Sequence, residues 1–133
     1  MPYRLREHTA DIRLEITAGS FPEVFAESLR AMNAVAKPDA SDATVEREVT
    51  VEASDRLSLL VDFLNELLSL AALHHEAYET IDIVSIGETH VNAFVKGRKT
   101  RGMEAEIKAV TWHEASVRET GEGGWKATLV LDI

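Results

Sequence analysis

Ile12-Arg13-Leu14-Glu15-Ile16-Thr17-Ala18-Gly19-Ser20-Phe21-Pro22-Glu23-Val24-Phe25 changes its hydrophobic period partway along, and that change sets the fold class. Ile12, Leu14 and Ile16 alternate with Arg13, Glu15 and Thr17, the two-residue period of a half-buried strand. Gly19 ends it. Ser20 with Glu23 three residues on is a capping-box signal, and Pro22 is tolerated in a first helical turn. Val24, Phe25, Leu29, Met32 and Val35 then form one apolar stripe at helical spacing. Lys37-Pro38 closes this helix, because the residue before a proline is pushed out of the helical region.

The same alternation of strand and helix repeats once. Val45, Val49, Val51 and Ala53 interleave with Glu46, Glu48, Thr50 and Glu52, giving a second strand with an acidic outer face. Ser54-Asp55 supplies an N-cap for a long helix reaching about His74. Its leucines, with Val61 and Phe63, wrap most of the circumference, so it is expected to be largely buried. Asp62, Asn65 and Glu66 interrupt it and must find partners or face solvent. Beyond Tyr78 the pattern is strand: Ile81–Ile86, Val91–Val95, Glu104–Trp112, Ala115–Arg118 and Trp125–Ile133. Residues 96–102, Lys-Gly-Arg-Lys-Thr-Arg-Gly, read as a basic loop between two of them. The expectation is a single α+β domain over residues 1–133, two helices on a mixed or antiparallel sheet, in the order β-α-β-α-β-β-β-β-β.

Composition narrows the function. The 133 residues carry 23 acidic and 14 basic side chains, a formal charge of −9 that disfavours holding a phosphate backbone. With no cysteine there is no thiolate zinc site, disulfide or Cys nucleophile. The N-terminus has no apolar core of a secretory signal, and no run reaches the roughly 18–20 apolar residues of a membrane span. These features lead to the expectation of a cytoplasmic protein with no membrane partner. Gly121, Gly123 and Gly124 lack the context of a phosphate loop and read as a hairpin. His74 and His75 project about 100° apart, a poor metal pair better suited to a helix C-terminus.

Three segments hold the candidate chemistry. In His8-Thr9-Ala10-Asp11 a carboxylate stands just before the first strand, where it binds a cation or bonds local backbone N–H groups. In Glu106–His113, Lys108 is either a cross-strand ion-pair residue or a functional cation; alternation puts it on one face with Glu106, Val110 and Trp112. In the last strand Ala127, Leu129, Leu131 and Ile133 share the apolar face, which leaves Asp132 on the other beside the C-terminal carboxylate. Should Asp11 come close, three oxygen-donor groups converge in a way that suits a hard cation.

Together with Leu60-Val61-Asp62-Phe63-Leu64-Asn65-Glu66-Leu67-Leu68, these segments resemble the archease family in order, register and length. The resemblance implies a small protein cofactor, not itself an enzyme, that assists an RtcB-type RNA ligase in tRNA splicing and RNA repair. Such a cofactor promotes guanylylation of the ligase and its multiple turnover. It further implies a divalent-metal site at Asp11, Asp132 and Ile133, with calcium expected and magnesium or manganese as alternatives. Ile133 would contribute main-chain or terminal oxygens. Lys108 would belong to the ligase-activating surface, and His8, Glu66 and His113 would support the site. Stable direct nucleic-acid binding is not expected, although Lys96, Arg98, Lys99 and Arg101 could touch RNA or the ligase. Two departures stand out: Arg13 replaces a small residue, and Trp112 a tyrosine. The alternatives are a chaperone-like modulator of another RNA-modifying enzyme and a stand-alone metal-dependent phosphoesterase.

Overall fold

A computed structural model describes residues 11–133. The elements run β1 (Asp11–Ala18), α1 (Phe21–Ala36), β2 (Pro38–Glu52), α2 (Arg56–His74), β3 (Glu76–Ile86), β4 (His90–Met103), β5 (Ala109–Glu119) and β6 (Trp125–Asp132). The fold is α+β with antiparallel pairing throughout, but the strands divide into two three-stranded sheets, β1-β6-β5 and β2-β4-β3. Both helices touch both sheets.

Local signals place both helices. Ser20 Oγ accepts from the Glu23 N–H at 3.3 Å, and the Glu23 carboxylate reaches back to the Gly19 N–H at 3.0 Å. Asp55 accepts from the Ser58 N–H at 2.7 Å, which satisfies an otherwise orphaned donor of α2. Both helices end in left-handed caps, Lys37 and His75. The N–H groups of Glu104 and Ala105 donate to the Ala36 carbonyl at 2.9 and 3.2 Å, so the strap from β4 to β5 is pinned on the end of α1.

α2 is, by length and mean hydropathy (1.4), the one described helix apolar enough to cross a membrane. Its burial gives that composition another cause. Leu59, Leu60, Val61, Phe63, Leu64 and Leu67 are inaccessible and point to several sides of the helix. Phe63 meets Phe25 edge-on at 5.3 Å, Phe25 meets Phe21 at 5.2 Å, and Phe21 lies 5.2 Å from Trp125 on β6. This aromatic chain ties both helices to the central strand of one sheet.

Asn65 finds its partner in the backbone. Its amide donates to the Val110 carbonyl and accepts from the Val110 N–H, both at 2.8 Å. The side chain thus acts as a short piece of strand pairing with β5 and fixes α2 against it.

Two segments differ from the sequence expectation. Glu104–Trp112 and Ala115–Arg118 are not separate strands, so four strands follow α2 rather than five. Both belong to β5, or to the strap before it, and an irregularity between Thr111 and Ser116 breaks the register. Glu114 there adopts φ 57°, and such a bulge interrupts the alternation that marks a strand in sequence. The basic segment 96–102 is not a loop but the C-terminal half of β4. Lys96 pairs with Asp82 at 3.0 Å and Arg98 with Glu79 at 3.1 Å. Arg101 pairs with Asp39 at 3.2 Å and Lys99 reaches Glu76 at 3.4 Å. Gly97 between them is buried, and a Cβ there would sit 1.8 Å from the Ala77 carbonyl oxygen. Any side chain would push β3 off β4.

Glu76 is the one fully buried carboxylate among the described residues. Arg47 donates twice to it, at 2.6 and 3.0 Å, and the Tyr78 hydroxyl donates at 2.7 Å. The Arg47 hydrogen bonds outweigh the opposing effect of burial and lower its pKa to about 2, while burial and the Glu76 charge raise that of Tyr78. A depressed carboxylate stabilises the fold fully above its ordinary value of 4.5 and loses that contribution as pH falls toward about 2. Glu76→Gln is therefore expected to cost on the order of 3 kcal/mol in urea unfolding at pH 7. Below pH about 3 the gap between variant and parent should narrow as the parent's carboxyl takes up its proton. Asn65→Ala leaves both Val110 backbone groups unpaired in the core and should cost about 2–4 kcal/mol in the same assay.

Candidate functional site

β6 is the centre of its sheet, and its last residue meets both neighbours. Asp132 is the register partner of Asp11 on β1 and of Ala109 on β5. One step beyond the ladder, the Lys108 N–H donates to the Asp132 carbonyl at 2.7 Å. Opposed residues in an antiparallel pair share a face, with Cβ atoms roughly 4.5–5.5 Å apart. The two carboxylates therefore leave the sheet side by side, and Lys108 immediately precedes Ala109, the β5 residue opposite Asp132.

This is an unfavourable arrangement for bare anions, since like charges directly opposed on a sheet destabilise the pairing. Burial sharpens the conflict. Asp11 is exposed, Asp132 is half-buried, and Asp132 Oδ1 is fully covered with no hydrogen-bond partner among the described residues. Thr111 Oγ1, two residues along β5 from Ala109, is likewise buried and unpaired. Ile133 packs its side chain against the core, so only its main-chain oxygens are offered to this end of the sheet. Among the described residues, no three His, Cys, Asp or Glu side chains form a ligand set by themselves. What stands together is a pair of carboxylates, an unpartnered buried oxygen and nearby main-chain oxygens. That donor set is all oxygen and fits a hard divalent cation, which would relieve the repulsion between the acids.

Lys108 is exposed and forms no ion pair among the described residues, so the cross-strand salt bridge open from sequence is not formed. Val110 does not share its exposed face. Ile107 and Val110 are both buried, because the chain turns from strap to strand at Lys108–Ala109 and the alternation slips. Trp112 is half exposed.

The supporting residues are dispersed. Glu66 is exposed on α2, next to the Asn65 clasp. His113 stands in the β5 irregularity with 80% of its side chain exposed, 3.9 Å from Glu114. His8 lies outside the described residues. Arg13, two residues along from Asp11 on the same face, binds Glu114 at 2.6 Å and holds its carboxyl below the usual range. This pair spans from β1 over β6 to the irregularity of β5. Neither it nor the Asn65 clasp was assigned from sequence. The polar Asn65 inside an apolar run was a visible signal, whereas the Arg13–Glu114 pair depends on a bulge with no sequence mark.

The archease protein family model matches residues 3–133 of the chain. An archease from Methanosarcina mazei is 36% identical over 98% of this chain and 95% of its own length. One from Archaeoglobus fulgidus is 34% identical over the full length of both. Among solved structures, a Thermotoga maritima archease, described as a possible chaperone, superposes with a TM-score of 0.77 at 26% identity. The match covers 100% of this chain and 98% of that one. A family match over nearly the whole chain, relatives above 30% identity and a common fold agree: the chain belongs to the archease family.

Proposed function

We propose that this protein is a non-catalytic activator of an RtcB-type RNA ligase, acting in the cytoplasm in tRNA splicing and RNA repair. It promotes guanylylation of the ligase and thereby its multiple turnover. The observation that carries this reading is the register of Asp11 with Asp132: one Asp132 oxygen is buried without a partner among the described residues, and the Asp132 backbone carbonyl is bonded to the N–H of the exposed Lys108. A surface of this kind suits charge placement around a phosphoryl-transfer centre supplied by another protein.

In this reading Asp11, Asp132 and the main-chain oxygens at Ile133 hold a divalent cation, calcium by preference and magnesium or manganese otherwise. The ion supplies charge neutralisation where a nucleotide phosphate is handled. Asp132 is fixed by its place at the end of a central strand, so its carboxylate is presented without a large ordering cost. Lys108 is set at a fixed distance from it by the backbone bond to Asp132 and directs its ammonium toward an anionic group of the ligase. The ion pairs along β4 support a protein rather than an RNA partner, because they leave few basic groups free for phosphates.

Two measurements test the assignment. Calcium titration by calorimetry should show one site, lost in Asp132→Asn and Asp11→Asn, and saturating calcium should raise the unfolding temperature of the parent only. In a turnover assay with purified ligase, GTP and RNA ends, Asp11→Ala, Asp132→Ala and Lys108→Ala should each lower stimulated multiple turnover by about tenfold or more. Folded variants that stimulate normally overturn the reading.

A further inference from the structure

A partly enclosed cavity lies away from the carboxylates but touches their neighbour. It has a volume of about 340 Å³ and opens between the C-terminal halves of α1 and α2, with the strap 103–108 as its third wall. Met32, Leu68, Ala71, Met103 and Ile107 make it chiefly apolar. Burial along α2 explains its position. The helix is enclosed as far as Leu67, and beyond that Leu68 and Ala71 are only half-buried and Ala72 is exposed.

Its charged groups are few and mostly committed. Glu76 at the floor is held by Arg47, Lys99 and Tyr78, and the Asn33 amide is spent on the Tyr78 carbonyl at 2.7 Å. Lys108 also lines it, but at the end joined to Asp132 by the backbone bond. Glu106 is left as an exposed carboxylate on the wall with no ion pair among the described residues. The chain as a whole carries −9, so its complement is basic.

We infer that this groove receives a short segment of the same protein partner, an apolar side chain seated between α1 and α2 with an adjacent Lys or Arg paired to Glu106. The inference rests on the ligase-activator reading and extends its contact surface from the carboxylate pair, through Lys108, to the helix pair. A cavity of this size accepts one or two large side chains, and its few polar groups set the orientation of the occupant. Apolar anchoring gives affinity, while Glu106 selects a basic flank and makes the contact salt-sensitive.

The test is the affinity of the whole chain for purified ligase, measured by fluorescence anisotropy, alongside stimulated turnover. Ala72→Trp fills the groove from an exposed position and should weaken binding about tenfold or more. Glu106→Lys should weaken it similarly at low salt and less at high salt. Met103→Glu serves the same purpose should the tryptophan variant fail to fold. A photo-crosslinker at Met103 should map to a ligase segment with an apolar residue beside Lys or Arg. Unchanged binding by folded Ala72→Trp and Met103→Glu, with turnover still lost in Asp132→Asn, overturns the groove and leaves the functional reading standing. A crosslink to an acidic segment, or a co-purifying small molecule filling the cavity, also overturns it. Failure of the parent chain to bind the ligase overturns both.

Discussion

A helix with apolar side chains on most of its circumference cannot be satisfied by one sheet, and α2 imposes that constraint on the fold. A surface helix buries a stripe, but Leu59, Leu60, Val61, Phe63, Leu64 and Leu67 face several directions and are all inaccessible. Two three-stranded sheets with a second helix supply the cover. The enclosure is incomplete. It is complete only as far as Leu67, and the half-buried C-terminal turns become one wall of the groove.

The same constraint positions the carboxylate pair. Covering α2 with β5 requires the Asn65 clasp on Val110, and Val110 is in register with Leu131, one residue before Asp132. The clasp therefore acts at the end of the sheet where Asp11, Asp132 and Lys108 meet. Stability and candidate function share this corner. The core side takes Leu131 and Ile133, and strand alternation obliges Asp132 to face the other way, against Asp11. An opposed pair of acids is a local cost, and such costs tend to collect where a protein works.

Both helices, their caps and the terminal strand were legible in the sequence, because each depends on neighbours three or four residues apart or on simple alternation. The Ser20 and Asp55 caps formed as the spacing indicated. The continuity of β5 is not legible, because Glu114 breaks the register with a left-handed residue that no glycine announces. The basic segment resembles a loop in sequence because four charges and two glycines imitate one. In the fold those charges are neutralised by Asp82, Glu79, Asp39 and Glu76, and Gly97 is demanded by the approach of β3.

Sequence by itself determined the α+β class, the family resemblance and which side of the last strand carries Asp132. All three follow from short-range period and motif order. Only the tertiary structure decided that Asp11 stands opposite Asp132, that one oxygen of that pair is buried without a partner among the described residues, and that Lys108 is free of Glu106. Register between strands separated by more than a hundred residues depends on how the sheets close around α2, and no local pattern encodes it.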